Sequence, residues 1–279
     1  MDVQVVDYTA TDAAQKFVES LRETGFAVLT NHPLSQDLVQ SIYDNWLNFF
    51  NSPAKQDFLF DAVKQDGYFP PEVSEVAKGH QKKDIKEYYH IYPWGRIPAD
   101  LKSDITDYYE KASGLAGELL GWVESNAPSE VSEGFSEPLS RMIEDTPNTL
   151  LRILHYPPLT GEEEPGAIRA AAHEDINLLT ILPAASEPGL QVKLKDGRWV
   201  DVPSKFGYLI INTGDMLQEA SGGYFPSTSH RVINPTGGKS GKSRMSLPLF
   251  LHPRDEVVLS ERHTHRSYLM ERLKELGVV

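Results

Sequence analysis

Apolar positions recur at helical spacing through the first half of the chain and in short strand-like runs through the second. The change falls near residue 148. "AAQKFVESLRETG", residues 13–25, predicts an amphipathic helix stopped by Gly25, and "GFAVLTNH" reads as a short strand after it. "SQDLVQSIYDNWLNFFNSP" predicts a second helix, with Ser35 as its N-cap and Pro53 beyond its end. Residues 99–124 carry a long helical pattern, with an interruption expected near Gly114.

The second half reads differently. "TLLRILHYPP", "INLLTILP", "GLQVKLKDGRWVDVP", "GYLIINTGD", "STSHRVINP" and "SRMSLPLFLHP" are short β-type runs separated by turn signals. Asp196-Gly197 marks a hairpin. Evenly spaced short strands with such turns predict a double-stranded β-helix, a jelly roll of the cupin kind. "SYLMERLKELG" closes the chain as a helix ending at Gly277. The expected organisation is one domain over 1–279. It has a mostly helical part (1–147), a jelly-roll core (148–254) and a C-terminal loop and helix (255–279), a mainly β fold with α.

Composition narrows the partners. A formal net charge of -13 opposes binding to phosphate backbones and anionic lipid. The absence of cysteine rules out disulfides and thiolate metal sites. The first residues lack the basic start and apolar stretch of a signal peptide, and no apolar run approaches the ~20 residues of a membrane span. A soluble cytoplasmic protein acting on a small molecule is expected, with no nucleic-acid or membrane partner. Oligomeric state is not legible. "GGKSGKS", residues 237–243, has Thr236 where a phosphate-binding loop needs glycine, and a strand pattern follows it. It reads as a hairpin loop.

The chemistry begins at "AAHEDINLLTIL". Alternation in an extended segment puts His173 and Asp175 on one side and Glu174 on the other. His230, starting another strand pattern, can complete a set of two imidazoles and one carboxylate. That is the facial triad of non-haem Fe(II) oxygenases, which leaves positions open for cosubstrate and oxygen; zinc accepts the same donors. In "RMSLPLF", Arg244 and Ser246 share a face, and an arginine fork with a hydroxyl suits a carboxylate.

Taken in order, His173-x-Asp175, His230 and Arg244-x-Ser246 resemble the Fe(II)/2-oxoglutarate-dependent oxygenases, specifically the isopenicillin N synthase-like family. "HYPP", "HEDINLLTIL", "GYLIINTGDMLQ", "SHRVINP" and "RMSLPLFLHP" carry the likeness, and "ETGFAVLTNHPL" and "KKDIKEYYHIYP" extend it over nearly the whole chain. The resemblance implies Fe(II) on His173, Asp175 and His230. It places 2-oxoglutarate on Arg244 and Ser246 with help from Tyr156, and O2 as the other cosubstrate. It implies dioxygenase chemistry, releasing succinate and CO2 as a small molecule is oxidised, with no catalytic residue apart from the metal ligands. Some plant members carry Asn where this chain has Leu154. Arg152, on the face of Tyr156, and the aromatic Tyr68 and Tyr88 are candidate substrate contacts. Two alternatives are an oxidase like isopenicillin N synthase, using no 2-oxoglutarate, and a non-catalytic small-molecule-binding barrel. His263 and His265, in "ERHTHRSY", read as a charged surface loop, and His155 as structural.

Overall fold

The computed structural model describes residues 2–73, 83–235 and 241–275. In the first part lie β1 (Val5–Asp7), α1 (Ala13–Thr24), β2 (Phe26–Thr30), α2 (Gln36–Phe50), β3 (Gly67–Phe69), β4 (Glu87–Ile91) and α3 (Lys102–Asn126). The short helices α4 (Ser129–Ser132) and α5 (Leu139–Met142) follow. Then come β5 (Leu150–Tyr156), β6 (Ala170–His173), β7 (Leu179–Pro183), β8 (Leu190–Lys193), β9 (Trp199–Asp201) and β10 (Leu209–Thr213). The order closes with α6 (Asp215–Ala220), β11 (His230–Val232), β12 (Arg244–Ser246), β13 (Leu249–Phe250) and α7 (His265–Glu275).

Local chemistry sets the helix ends. Gly25 takes a left-handed φ of 73° after α1, and its N–H donates to the Leu21 carbonyl. A Cβ there would also collide with Thr228 and the Pro226 carbonyl, so glycine is required twice over. Ser35 caps α2 by accepting from the Leu38 N–H. α3 runs unbroken through Gly114, against the expected interruption. An interior glycine costs a helix ~1 kcal/mol relative to alanine. Burial of Ile105, Tyr108, Leu115, Leu119 and Leu120 along one side outweighs that.

Among the described residues the strands make two sheets. The larger, of nine strands, runs β1-β2-β10-β7-β13-β5-β4-β3, with β12 also on β5; the smaller runs β6-β11-β8-β9. The segment expected to be mostly helical therefore supplies four strands to the larger sheet. The Asp196-Gly197 hairpin joins β8 to β9.

Strict alternation divides the larger sheet. Leu29, Leu151, Ile153, Ile181, Leu209 and Ile211 pack against the helices. Val28, Leu154, Tyr156, Leu182 and Ile210 pack against the smaller sheet. The two facing sheets are the expected double-stranded β-helix, and polar side chains from both converge in the space between them.

Two details depart from expectation at the C-terminal end. α7 starts at His265, and that residue is fully buried against His252 and Asp255 instead of lying in a surface loop. A ring completing the contact between α7 and the preceding segment is worth more buried than solvated. His263 is half-buried. The expected end at Gly277 lies outside the described residues, as does most of the 237–243 loop; its last residues lead into the strand β12, not a helix.

Candidate active site

β6 and β11 pair antiparallel with His173 directly opposite His230. The smaller sheet thus sets two imidazoles side by side, ring centroids 4.4 Å apart. Asp175 is held differently. The chain leaves β6 at His173, and residues 174–178 turn before β7 begins, so alternation along a continuous strand does not place it. Its outcome is nevertheless as expected: Asp175 is buried and Glu174 is exposed.

Hydrogen bonds do the placing. The Asp175 carbonyl accepts from the Asp215 N–H at 2.7 Å. Its Oδ2 accepts from Thr180 Oγ1 at 2.5 Å and from Asn212 Nδ2 at 2.8 Å. Thr180 and Asn212 are partners in register on β7 and β10, and Asn177 Nδ2 donates to Thr180 Oγ1. One oxygen of Asp175 is saturated, and Oδ1 is left for another ligand.

The histidines are prepared in the same way. His173 Nδ1 lies 2.7 Å from the Ala171 carbonyl and His230 Nδ1 3.1 Å from the Thr228 carbonyl. A carbonyl only accepts, so both Nδ1 atoms carry a proton and Nε2 is the ring atom each histidine turns toward Asp175. Asp175 Oδ1 stands 3.6 Å from His230 Nε2 and 3.9 Å from His173 Nε2. All three donors lie within 4.8 Å of one another. A single ion at ~2.1 Å from each donor bridges such spacings.

The charges agree. Burial and then the neighbouring imidazole of His230 push His173 down to about 4, which keeps it neutral and able to coordinate. Burial pushes the Asp175 carboxyl up, but His230, His173, Asn212 and Thr180 together overcome this and hold it below the usual value. Two imidazoles and a carboxylate with its outer lone pairs turned inward fit a divalent cation of the iron or zinc kind. The His173 side chain is 38% exposed, against 10% for His230 and 6% for Asp175, so it forms the open edge of the triad.

The second predicted group lies in the same narrow cavity, lined by the triad, Arg152, Leu154, Tyr156, Arg244 and Ser246 together with Phe26 and Phe250. β12 pairs with β5 so that Arg244 opposes Tyr156 and Ser246 opposes Leu154. Arg244 is 2% exposed. Its Nε donates to the Glu187 carbonyl at 2.9 Å, and its guanidinium lies 5.1 Å from the Tyr156 ring centroid. Its Nη1 is buried with no hydrogen-bond partner. Burial pushes its pKa down, yet an arginine stays cationic. An unpaired buried guanidinium N–H is costly, and the chemistry that satisfies it is a carboxylate.

The candidate substrate contacts separate. Arg152 Nε lies 2.8 Å from His90 Nε2, and its guanidinium covers the Tyr88 ring at 4.6 Å. Tyr88 belongs to the core between the sheets, stacked on Phe69. Tyr68 is not brought to the cavity. It faces the helices, near Phe50, and its hydroxyl donates to Glu87. His155, on that same far face, is bonded to Glu87 as a structural group.

Sequence reasoning passed over Thr180, Asn212 and Arg169. The first two sit among apolar neighbours in "LLTILP" and "LIINTG", where a lone polar residue at an inward position is the available signal. A larger cavity, about 280 Å³, is lined by Arg169, Glu187, Asp201 and Asn234. It touches none of the triad, so size does not mark the chemistry here.

Comparison with known proteins follows the same division of the chain. Residues 147–253 match the 2OG-Fe(II) oxygenase superfamily, and residues 2–109 match the N-terminal region of non-haem dioxygenase in morphine synthesis. A Shewanella oneidensis protein of known structure, assigned as an oxygenase, is 64% identical with a TM-score of 0.92, and 100% of each chain is covered. A Caulobacter crescentus protein assigned to the 2OG-Fe(II) oxygenase family is 30% identical with a TM-score of 0.82, covering 98% of this chain and 99% of that one. 2-oxoglutarate-dependent dioxygenase 11 of Oryza sativa subsp. japonica is 30% identical over 250 residues and 85% of this chain; the chain spans 65% of that relative's length.

Proposed function

The chain belongs to the 2OG-Fe(II) oxygenase superfamily, and on that premise we propose that it is a non-haem Fe(II)- and 2-oxoglutarate-dependent dioxygenase oxidising a small molecule. The observation that carries the reading is the shared cavity: three metal-type donors and a buried arginine with an unpaired N–H open into one space. That unpaired donor favours an enzyme that binds a dicarboxylic cosubstrate over an oxidase that uses none.

His173, Asp175 and His230 would hold Fe(II) through Nε2, Oδ1 and Nε2, leaving coordination positions for cosubstrate and O2. When bound, the iron supplies the activation of O2, coupled to oxidative decarboxylation of 2-oxoglutarate to succinate and CO2. Thr180 and Asn212 fix the Asp175 carboxylate so that the same oxygen always faces the metal. Arg244 Nη1 and the Ser246 hydroxyl take the distal carboxylate of 2-oxoglutarate, and Tyr156 beneath the guanidinium restrains its orientation. Phe26, Leu154, Leu182 and Val232 wall the cavity and keep water from the reacting atoms. Arg152, over Tyr88, is the polar group assigned to the oxidised substrate.

No helix among the described residues is long and apolar enough to cross a membrane. With no cysteine and a net charge of -13, we place the protein in the cytoplasm without nucleic-acid or lipid partners. Anaerobic addition of Fe(II) and then 2-oxoglutarate tests the function. The visible charge-transfer band of the chelate should appear, and admitting oxygen should yield succinate. Absence of both, with iron bound, would leave the family membership and remove the activity.

A further inference from the structure

Arg169, the residue before β6, is 1% exposed, among the most deeply buried large side chains of the protein. Its backbone N–H donates to Asn234 Oδ1 at 3.0 Å, and its Nη2 donates to the Lys242 carbonyl at 2.8 Å. Its Nε is buried with no hydrogen-bond partner. Its guanidinium carbon lies 6.0 Å from the centroid of Tyr156, the ring that Arg244 covers at 5.1 Å. Two buried guanidinium groups therefore share one aromatic ring, and each keeps an unpaired N–H.

Like charges flanking one ring repel. Burial, and after it the charge of Arg244, pushes the Arg169 pKa down. The acid acting on Arg169 is Glu187. Its carboxylate is paired with Lys242 at 3.3 Å, while Arg244 receives only its carbonyl. Two buried cations and one shared carboxylate leave positive charge and two unsatisfied donors around Tyr156. Arg169 lines the adjoining cavity and Arg244 the one that holds the triad, so an anion seated on Arg244 meets Arg169 through its field and not through a hydrogen bond.

We propose that Arg169 is a second cation of the cosubstrate seat, a positioning residue that acts with Arg244 around Tyr156 to select a 2-oxo acid bearing a distal carboxylate. The inference rests on the assignment of Arg244 to 2-oxoglutarate. It adds a selectivity device: the field of Arg169 stabilises a far carboxylate and does nothing for a 2-oxo acid without one.

The test compares 2-oxoglutarate with 2-oxopentanoate, the five-carbon 2-oxo acid lacking the distal carboxylate. Each is titrated anaerobically into the Fe(II)-loaded protein and followed by the chelate band. Arg169→Gln should weaken 2-oxoglutarate about tenfold, the scale of one unit charge lost from a partly screened site. Its 2-oxopentanoate affinity should stay unchanged, and Arg169→Lys should restore most of the preference. Equal weakening of both acids would mark Arg169 as merely structural and overturn the inference, as would no change in either. Glu187→Gln is a second route that does not disturb a buried side chain. Removing that competing carboxylate should tighten 2-oxoglutarate by ~3-fold without affecting 2-oxopentanoate; an unchanged or weaker affinity overturns the inference. Arg244→Gln, run alongside, separates the two failures. If it leaves 2-oxoglutarate binding intact, the seat itself is misassigned; if it weakens binding while Arg169→Gln does not, only the role of Arg169 falls.

Discussion

Two buried polar clusters stand back to back across β5, and only one of them is complete. Behind the strand, toward the helices, Glu87 accepts from His155 Nδ1 at 2.7 Å, from the Tyr68 hydroxyl at 2.5 Å and from Lys55 at 2.9 Å. His155 Nε2 in turn meets Ser243 Oγ at 3.0 Å. In front, toward the smaller sheet, Arg244 Nη1 and Arg169 Nε have no partner, and the triad keeps two lone pairs and a carboxylate oxygen turned to a cavity. The clusters use adjacent residues, His155 beside Tyr156 and Ser243 beside Arg244. Both are buried for the most part, each with one partly exposed member, His173 in front and Lys55 behind. Completion of hydrogen bonds separates a structural cluster from one built for a ligand.

Substitutions that act on one cluster and spare the other break or sharpen this contrast. The largest effect is expected from His230→Ala, which should abolish tight Fe(II) binding in an anaerobic equilibrium assay. Its urea midpoint should stay close to wild type, because it removes one member of a set that folding leaves open. Glu87→Ala should do the reverse. Stripping the acceptor from two buried donors and a half-buried lysine should cost ~3 kcal/mol in urea unfolding, with iron affinity of the folded protein unchanged. Arg244→Ala should raise the 2-oxoglutarate requirement on the order of a hundredfold, the scale for truncating one partner of a buried charge pair, while iron affinity holds. Asn212→Ala frees one bond to Asp175 and should weaken iron ~10-fold, the lower end for outer-shell partners. Glu174→Gln should change neither iron affinity nor the unfolding midpoint, since the side chain faces away from the triad.

The front cluster was largely legible in the sequence, because its members lie two apart on strands and strand alternation fixes which side they face. Arg244 and Ser246 meet that condition on β12, His230 is legible as the third donor to His173-x-Asp175, Tyr156 is legible only through the family resemblance, and all reach one cavity. Asp175 reaches the cavity through a geometry that strand alternation does not describe. It sits in a turn, and the bonds from Thr180 and Asn212 that place it join residues far apart in sequence. The rear cluster was hidden for the same reason: Lys55, Tyr68, Glu87, His155 and Ser243 come from five separate segments. β3 and β4 were missed as strands because both of their faces are buried, so "GYF" and "EYYHI" show no alternation of polar and apolar residues. Arg169, in "GAIRAAAH", carries no spacing signal; only its burial beside Tyr156 reveals it.

The central claim is that His173, Asp175 and His230, and not the neighbouring Glu174, form a single iron site. Anaerobic measurement of Fe(II) bound per chain, for wild type, Asp175→Ala, His230→Ala and Glu174→Gln, tests it most directly. The account predicts a single tight equivalent in wild type and Glu174→Gln, and none in the other two. A tight equivalent surviving in folded His230→Ala, or lost from Glu174→Gln, would contradict it.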